Sequence, residues 1–95
     1  MAYSTSNPPM LIARGIGVDN GNLWVYKSED AAADINTAGY FTDGYALGMR
    51  KNDIVFAIDT NASPIDLTIH GVVSADATNG VDLGDGTEVS GSDSD

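Results

Sequence analysis

The chain contains no cysteine and a single histidine, His70. A disulfide framework is therefore excluded, and so is a structural zinc site, which takes about four Cys or His ligands. Basic residues are scarce as well: Arg14, Lys27, Arg50 and Lys51 stand against fourteen acids, for a formal charge of −10. That balance repels nucleic-acid phosphates and anionic membrane surfaces, so neither is an expected partner. Long apolar runs are missing. The longest, Met10-Leu11-Ile12-Ala13 and Ile54-Val55-Phe56-Ala57-Ile58, fall far short of the ~20 residues of a membrane helix. Met1 leads into polar residues and not into a basic region followed by an apolar stretch, so synthesis in a cytoplasm without a secretory route is expected.

What remains is 95 residues, 42% hydrophobic, enough for one small domain. A fold of this size buries only roughly 60–65% of its unfolded-chain surface and is marginal unless something assists it. Without disulfide or zinc, the assistance expected is oligomerisation or docking on a larger assembly. The charge is also uneven: residues 52–95 carry nine acids and no base, so one part of the molecule should be strongly negative.

Residues 1–14 read as an extended N-terminal arm, because Asn7-Pro8-Pro9 favours extended or polyproline-like backbone. Gly15 to Asn22 is a turn that could close a hairpin onto Leu23-Trp24-Val25-Tyr26-Lys27, where Trp24 and Tyr26 share one face and Leu23 and Val25 the other. Ser28 then looks like the N-cap of a helix of about three turns ending at Gly39, with Ala31, Ala32, Ile35 and Ala38 as its apolar face. Tyr45 to Met49 suits a brief helical turn or an irregular loop. The near-continuous run Ile54–Ile58 predicts a central strand buried on both faces. Leu67 to Ala75 is a further strand, and Asn79-Gly80 signals a tight reversal into Val81-Asp82-Leu83. Beyond Gly84 an acidic, flexible tail of residues 85–95 is expected. The fold class expected is α+β, mostly β: a small antiparallel β-barrel or sandwich with one short helix, its compact domain spanning residues 15–84.

Chemistry is thinly signalled. His70 lies inside a strand pattern and no Gly-x-Ser-x-Gly elbow accompanies it, so it reads as a structural histidine and no catalytic residue is assigned. Asp82 to Glu88 and Asp19 to Asn22 resemble calcium loops only in part. The first has Gly84 where a third-position acid or amide would stand, so both read as solvated turns and no metal is assigned. Gly15-Ile16-Gly17 lacks the third glycine and the strand-to-helix setting of a phosphate cradle, so no cofactor is expected. Trp24, Tyr40 and Tyr45 beside acids could form a sugar-binding surface, but core or subunit contact is the plainer role for Trp24, Tyr40 and Phe41.

Several segments together resemble a group of small tailed-bacteriophage virion proteins: Ala2 to Pro9, Leu23 to Ser28, Asp30-Ala31-Ala32, Ala38 to Phe41, and Leu47 to Val55. The similarity spans most of residues 2–83 and points to the head decoration, or capsid cement, type. Where that group usually has Gly-Asp before its buried strand, this chain has Asn52-Asp53, and Asn accepts the same left-handed backbone. The resemblance implies a non-enzymatic structural protein on the outer surface of the virion head. Its partner would be the major capsid protein, and it would associate with itself, a trimer being one form. The arm would lie along an adjacent subunit, with Tyr3, Pro8, Pro9, Met10, Leu11, Ile12 and Arg14 in contact. Trp24, Tyr40 and Phe41 form a second group of contact or core residues. The alternative is a tail- or head-fibre-associated adhesive module that binds host glycan.

Overall fold

The computed structural model describes residues 3–14, 21–64 and 66–90. Six strands and two helical turns follow one another as β1 (Met10–Ala13), β2 (Leu23–Ser28), α1 (Ala32–Ile35), α2 (Gly44–Leu47), β3 (Ile54–Asp59), β4 (Asp66–Asp76), β5 (Gly80–Leu83) and β6 (Thr87–Val89). The sheet runs β1-β2-β3-β4-β5, with β6 alongside β4. The mostly-β, α+β class is as the composition and patterning imply. The antiparallel barrel or sandwich is not: the sheet is mixed, because β2 and β3 pair in parallel from Leu23↔Ile54 to Ser28↔Asp59. Parallel neighbours need a crossover of a dozen or more residues, and the connection 29–53, which carries both helical turns, supplies it.

The expected three-turn helix shrinks to α1, a single turn. Ser28 belongs to β2, and its Oγ accepts the Asp30 N–H at 3.1 Å instead of capping a helix. Asp30 is buried and accepts the Tyr40 hydroxyl, which takes it out of a solvated first turn. The second helical turn, α2, ends at Gly48 in the left-handed region. Gly39 and Gly80 are also left-handed, and a Cβ on Gly39 would stand 2.6 Å from the Asn79 carbonyl oxygen. That close approach seats the loop before Phe41 against the β4–β5 reversal, and Phe41 bridges to Val81.

Alternation sorts the strand residues onto two sides. One side carries Trp24, Tyr26, Val55, Ala57 and Val72, which with Val81, Leu83, Ile35, Phe41 and Met49 form the core beneath the helical turns. The other side has no layer over it among the described residues. Here β3 departs from expectation: Val55 and Ala57 are buried, but Phe56 and Ile58 are only half-buried and Ile54 is exposed. Residues outside the compact domain as read from the sequence also join the fold. Strand β1 pairs with β2, the Asn7 side-chain amide donates to the Lys27 carbonyl oxygen at 2.8 Å, and β6 pairs with β4 through Leu67↔Val89 to Ile69↔Thr87. The turn expected at 15–22 and the tail expected at 85–95 lie partly outside the described residues, at 15–20 and 91–95.

Candidate interaction surface

Strand β1 ends the sheet, pairing only with β2 among the described residues. Its outer N–H and C=O groups form the kind of free edge that accepts another strand. Three of its side chains are open: Met10 is 49% exposed, Leu11 45% and Ile12 60%. Pro8 and Arg14, on either side, are exposed too. These five of the arm residues are placed where a partner could reach them.

Two arm residues are not. Pro9 is buried, and Tyr3 folds back onto its own domain. The Tyr3 ring lies 5.2 Å from Phe41, 5.5 Å from Tyr40 and 6.1 Å from Tyr26 between centroids, and its hydroxyl donates to Asp43. Burial, and then the Asp43 carboxylate, push the Tyr3 phenol well above its ordinary pKa. Tyr3 therefore anchors the chain to itself. Trp24 and Phe41 are core residues, buried within this chain. Tyr40 is half-buried, and its hydroxyl donates to Asp30 and accepts from Tyr26 Oη at 2.9 Å. Burial and the Asp30 carboxylate raise its phenol above the usual range as well.

Two buried polar groups hold the strands in register. Asp53, 1% exposed, takes the Trp24 indole N–H at 2.9 Å and the Arg50 N–H at 3.0 Å on Oδ2, and the Asn22 N–H at 3.1 Å on Oδ1. It thereby ties the turn before β3, where Asn52 has φ +78°, to the start of β2. His70 is buried, with Nδ1 donating to the Gly84 carbonyl oxygen at 2.9 Å and Nε2 sharing a 2.8 Å bond with Thr68 Oγ1. Gly86 lies flat against its ring: a Cβ there would stand 2.6 Å from Cε1. These bonds tie the imidazole to β4 and to the chain after β5.

Of the two segments that hinted at calcium, one has Asp19 and Asn20 outside the described residues. The acids of the other are dispersed. Asp82 lies in β5, Asp85 accepts the Asn36 side-chain amide at 3.2 Å, and Glu88 lies in β6. Among the described residues no three His, Cys, Asp or Glu side chains are grouped to hold a metal ion. A shallow depression between the Gly39 turn and the β4–β5 hairpin is lined by Ala38, Ser74, Ala75, Asp76, Asn79 and Asp82. Asp76 there caps its own turn by accepting the Thr78 and Asn79 N–H groups, which hold its carboxyl below the usual range.

Sequence reasoning missed the open side of the sheet. Strand register lines up Met10-Val25-Phe56-Ile69-Thr87 across five strands, flanked by Leu23-Ile54-Gly71 and by Lys27-Ile58-Leu67-Val89. Every member is apolar, glycine or threonine except Lys27. The signal lay in Ile54–Ile58, whose two apolar faces require two covering layers. Comparison with family models, curated proteins and solved structures finds no match.

Proposed function

We propose that this is a non-enzymatic structural protein of a tailed-bacteriophage virion. It decorates the outer surface of the head, bridging neighbouring major capsid subunits and so stabilising the shell. The reading rests on the segment resemblance, and the observation that supports it is the β1 edge. Leu11 and Ile12 stand open on a terminal strand whose backbone can extend a partner's sheet. Strand addition draws affinity from main-chain hydrogen bonds and specificity from alternate side chains. Each copy that touches two shell subunits adds binding energy present only in the assembled particle. The acid-rich half of the chain would face outward.

The glycan-binding alternative has less support. Its aromatic platform is engaged internally: Trp24 is buried, the Tyr40 hydroxyl is bonded to Asp30, and Tyr45 lies under the Arg50 guanidinium, 3.7 Å from its ring centroid.

Binding to undecorated heads tests the proposal. Deleting the arm would also remove Tyr3 from the aromatic cluster, so the sharper probe is Leu11→Glu with Ile12→Glu, two exposed positions. This variant should melt like the parent yet bind shells at least about tenfold more weakly, as expected for loss of apolar contacts at an interface centre. Equal binding by the folded variant would remove the edge from the mechanism.

A further inference from the structure

We infer that the open side of the sheet is a self-association surface, on which a second copy of the chain packs face to face. The inference stands apart from shell binding and, Met10 excepted, uses a different surface.

The sequence and the fold disagree about layers in a way that a second copy resolves. Strands β2 and β3 are apolar on both sides, as strands covered on both sides are. The helical turns nevertheless cover one side only. On the other side Val25, Phe56, Ile58, Leu67 and Ile69 are half-buried, and Met10, Ile54 and Val89 are exposed. A patch of this kind, larger than scattered surface residues, marks an interaction site.

Charge is partitioned to match. Three acids lie in the rows formed by β1, β2, β3, β6 and the first half of β4: Asp59, Asp66 and Glu88. Register places all three on the helix-bearing side, with Ser28 and Thr68. None of these three points to the open side, where Lys27 is the one charged residue of these rows; Asp76 and Asp82 lie beyond the register shift in β4, in the β4–β5 hairpin, and alternate with Val81 and Leu83 away from the core. For a chain of −10, this is the surface on which two copies meet with least repulsion, and their acidic sides are then turned away from each other. Apolar rows without a charge pattern are self-complementary, as a two-fold interface must be.

The area is adequate. Five strands about 4.8 Å apart, each contributing about five residues at roughly 3.3 Å, make a footprint of roughly 400 Å². Side-chain relief raises the accessible area toward the ~600 Å² per partner of the smaller stable interfaces. Two such sheets stack about 10 Å apart with interdigitating side chains, as in a sandwich. Phe56 occupies the middle of the central row and is the natural anchor.

Sedimentation velocity on the full chain across concentration and salt tests this. A species of twice the 9.8 kDa chain mass is expected at micromolar concentration, and it should strengthen as salt screens like-charge repulsion. Ile54→Lys and Phe56→Thr should each weaken it by about tenfold or more. Ile12→Glu, on the β1 edge, should leave it intact. A further measurement needs no variant: the melting temperature of the parent chain should rise with protein concentration, since association stabilises the folded state. A monomer at every salt and concentration, with a concentration-independent melt, overturns the inference. So does a dimer that the folded Ile54 or Phe56 variant forms as well as the parent. Shell binding by a strict monomer would defeat this inference alone, and a dimer that ignores shells would defeat only the decoration reading.

Discussion

Asp53→Ala should be among the most damaging single substitutions in this chain. The carboxylate is 1% exposed and serves four N–H donors: the Trp24 indole at 2.9 Å, the Arg50 backbone at 3.0 Å, the Asn22 backbone at 3.1 Å and the Asn22 side-chain amide at 3.3 Å. Removing the acceptor from a buried donor costs about 1–3 kcal/mol, and hydrogen bonds to a charged group lie toward the upper end. The Trp24 bond is fully buried, whereas those to Asn22 and Arg50 are partly buried and water recovers some of their loss. A total of about 3–5 kcal/mol follows. At roughly 4–8 °C per kcal/mol for a domain of this size, the midpoint falls by about 12–40 °C. Asp53→Asn should lie nearer to the Ala variant than to the parent, because both oxygens accept and an amide presents a donor in place of one of them. Thermal and urea unfolding followed by circular dichroism give the numbers. The Trp24→Phe variant, which keeps the ring and drops the indole N–H, completes a double-mutant cycle. With Asp53 already gone, Trp24→Phe should cost at least about 1 kcal/mol less than in the parent. If Asp53→Ala costs under about 1 kcal/mol, or the two losses simply add, the carboxylate does not hold β2 to the turn before β3.

Two other outcomes follow from the core. Gly86→Ala should destabilise by about 1–3 kcal/mol, since its Cβ would meet the His70 ring at 2.6 Å; the same change made on His70→Ala should cost less, and equal costs in chemical denaturation would refute the contact. At alkaline pH, Tyr3 and Tyr40 have folded-state pKa values raised above 10.0 by burial and by the carboxylates of Asp43 and Asp30. Their contribution is therefore fully present below pH 10 and is lost as pH rises beyond it, because the unfolded chain gives up these protons first. Tyr3→Phe and Tyr40→Phe should each remove part of the tyrosinate absorbance near 295 nm that develops together with the loss of circular dichroism; if Tyr3 or Tyr40 ionises near pH 10 in an intact fold, the cluster is contradicted.

Much of the site was hidden in the sequence for identifiable reasons. Met10, Leu11 and Ile12 stand out in the sequence as an apolar segment next to Pro8-Pro9, and the resemblance implies their contact role. Tyr3 was misplaced because nothing within a few residues of it indicates that its ring meets Phe41 and its hydroxyl meets Asp43, forty positions away. Asp53 was visible only as a turn residue. Its part as an acceptor depends on Trp24 arriving across the parallel pair.

Local chemistry determined the strand character of β2, β3 and the β4–β5 hairpin, the reversal at Asn79-Gly80, and the left-handed backbone at Gly39 and Asn52. These follow from side-chain alternation and from which residues tolerate positive φ, properties that act over a few residues. Tertiary structure alone decided that β2 lies parallel to β3, that the N-terminal segment folds back onto its own sheet, and that one apolar side stays open among the described residues. Pairing partners and layer coverage depend on segments far apart in the chain, and periodicity records that a face is apolar without recording what covers it.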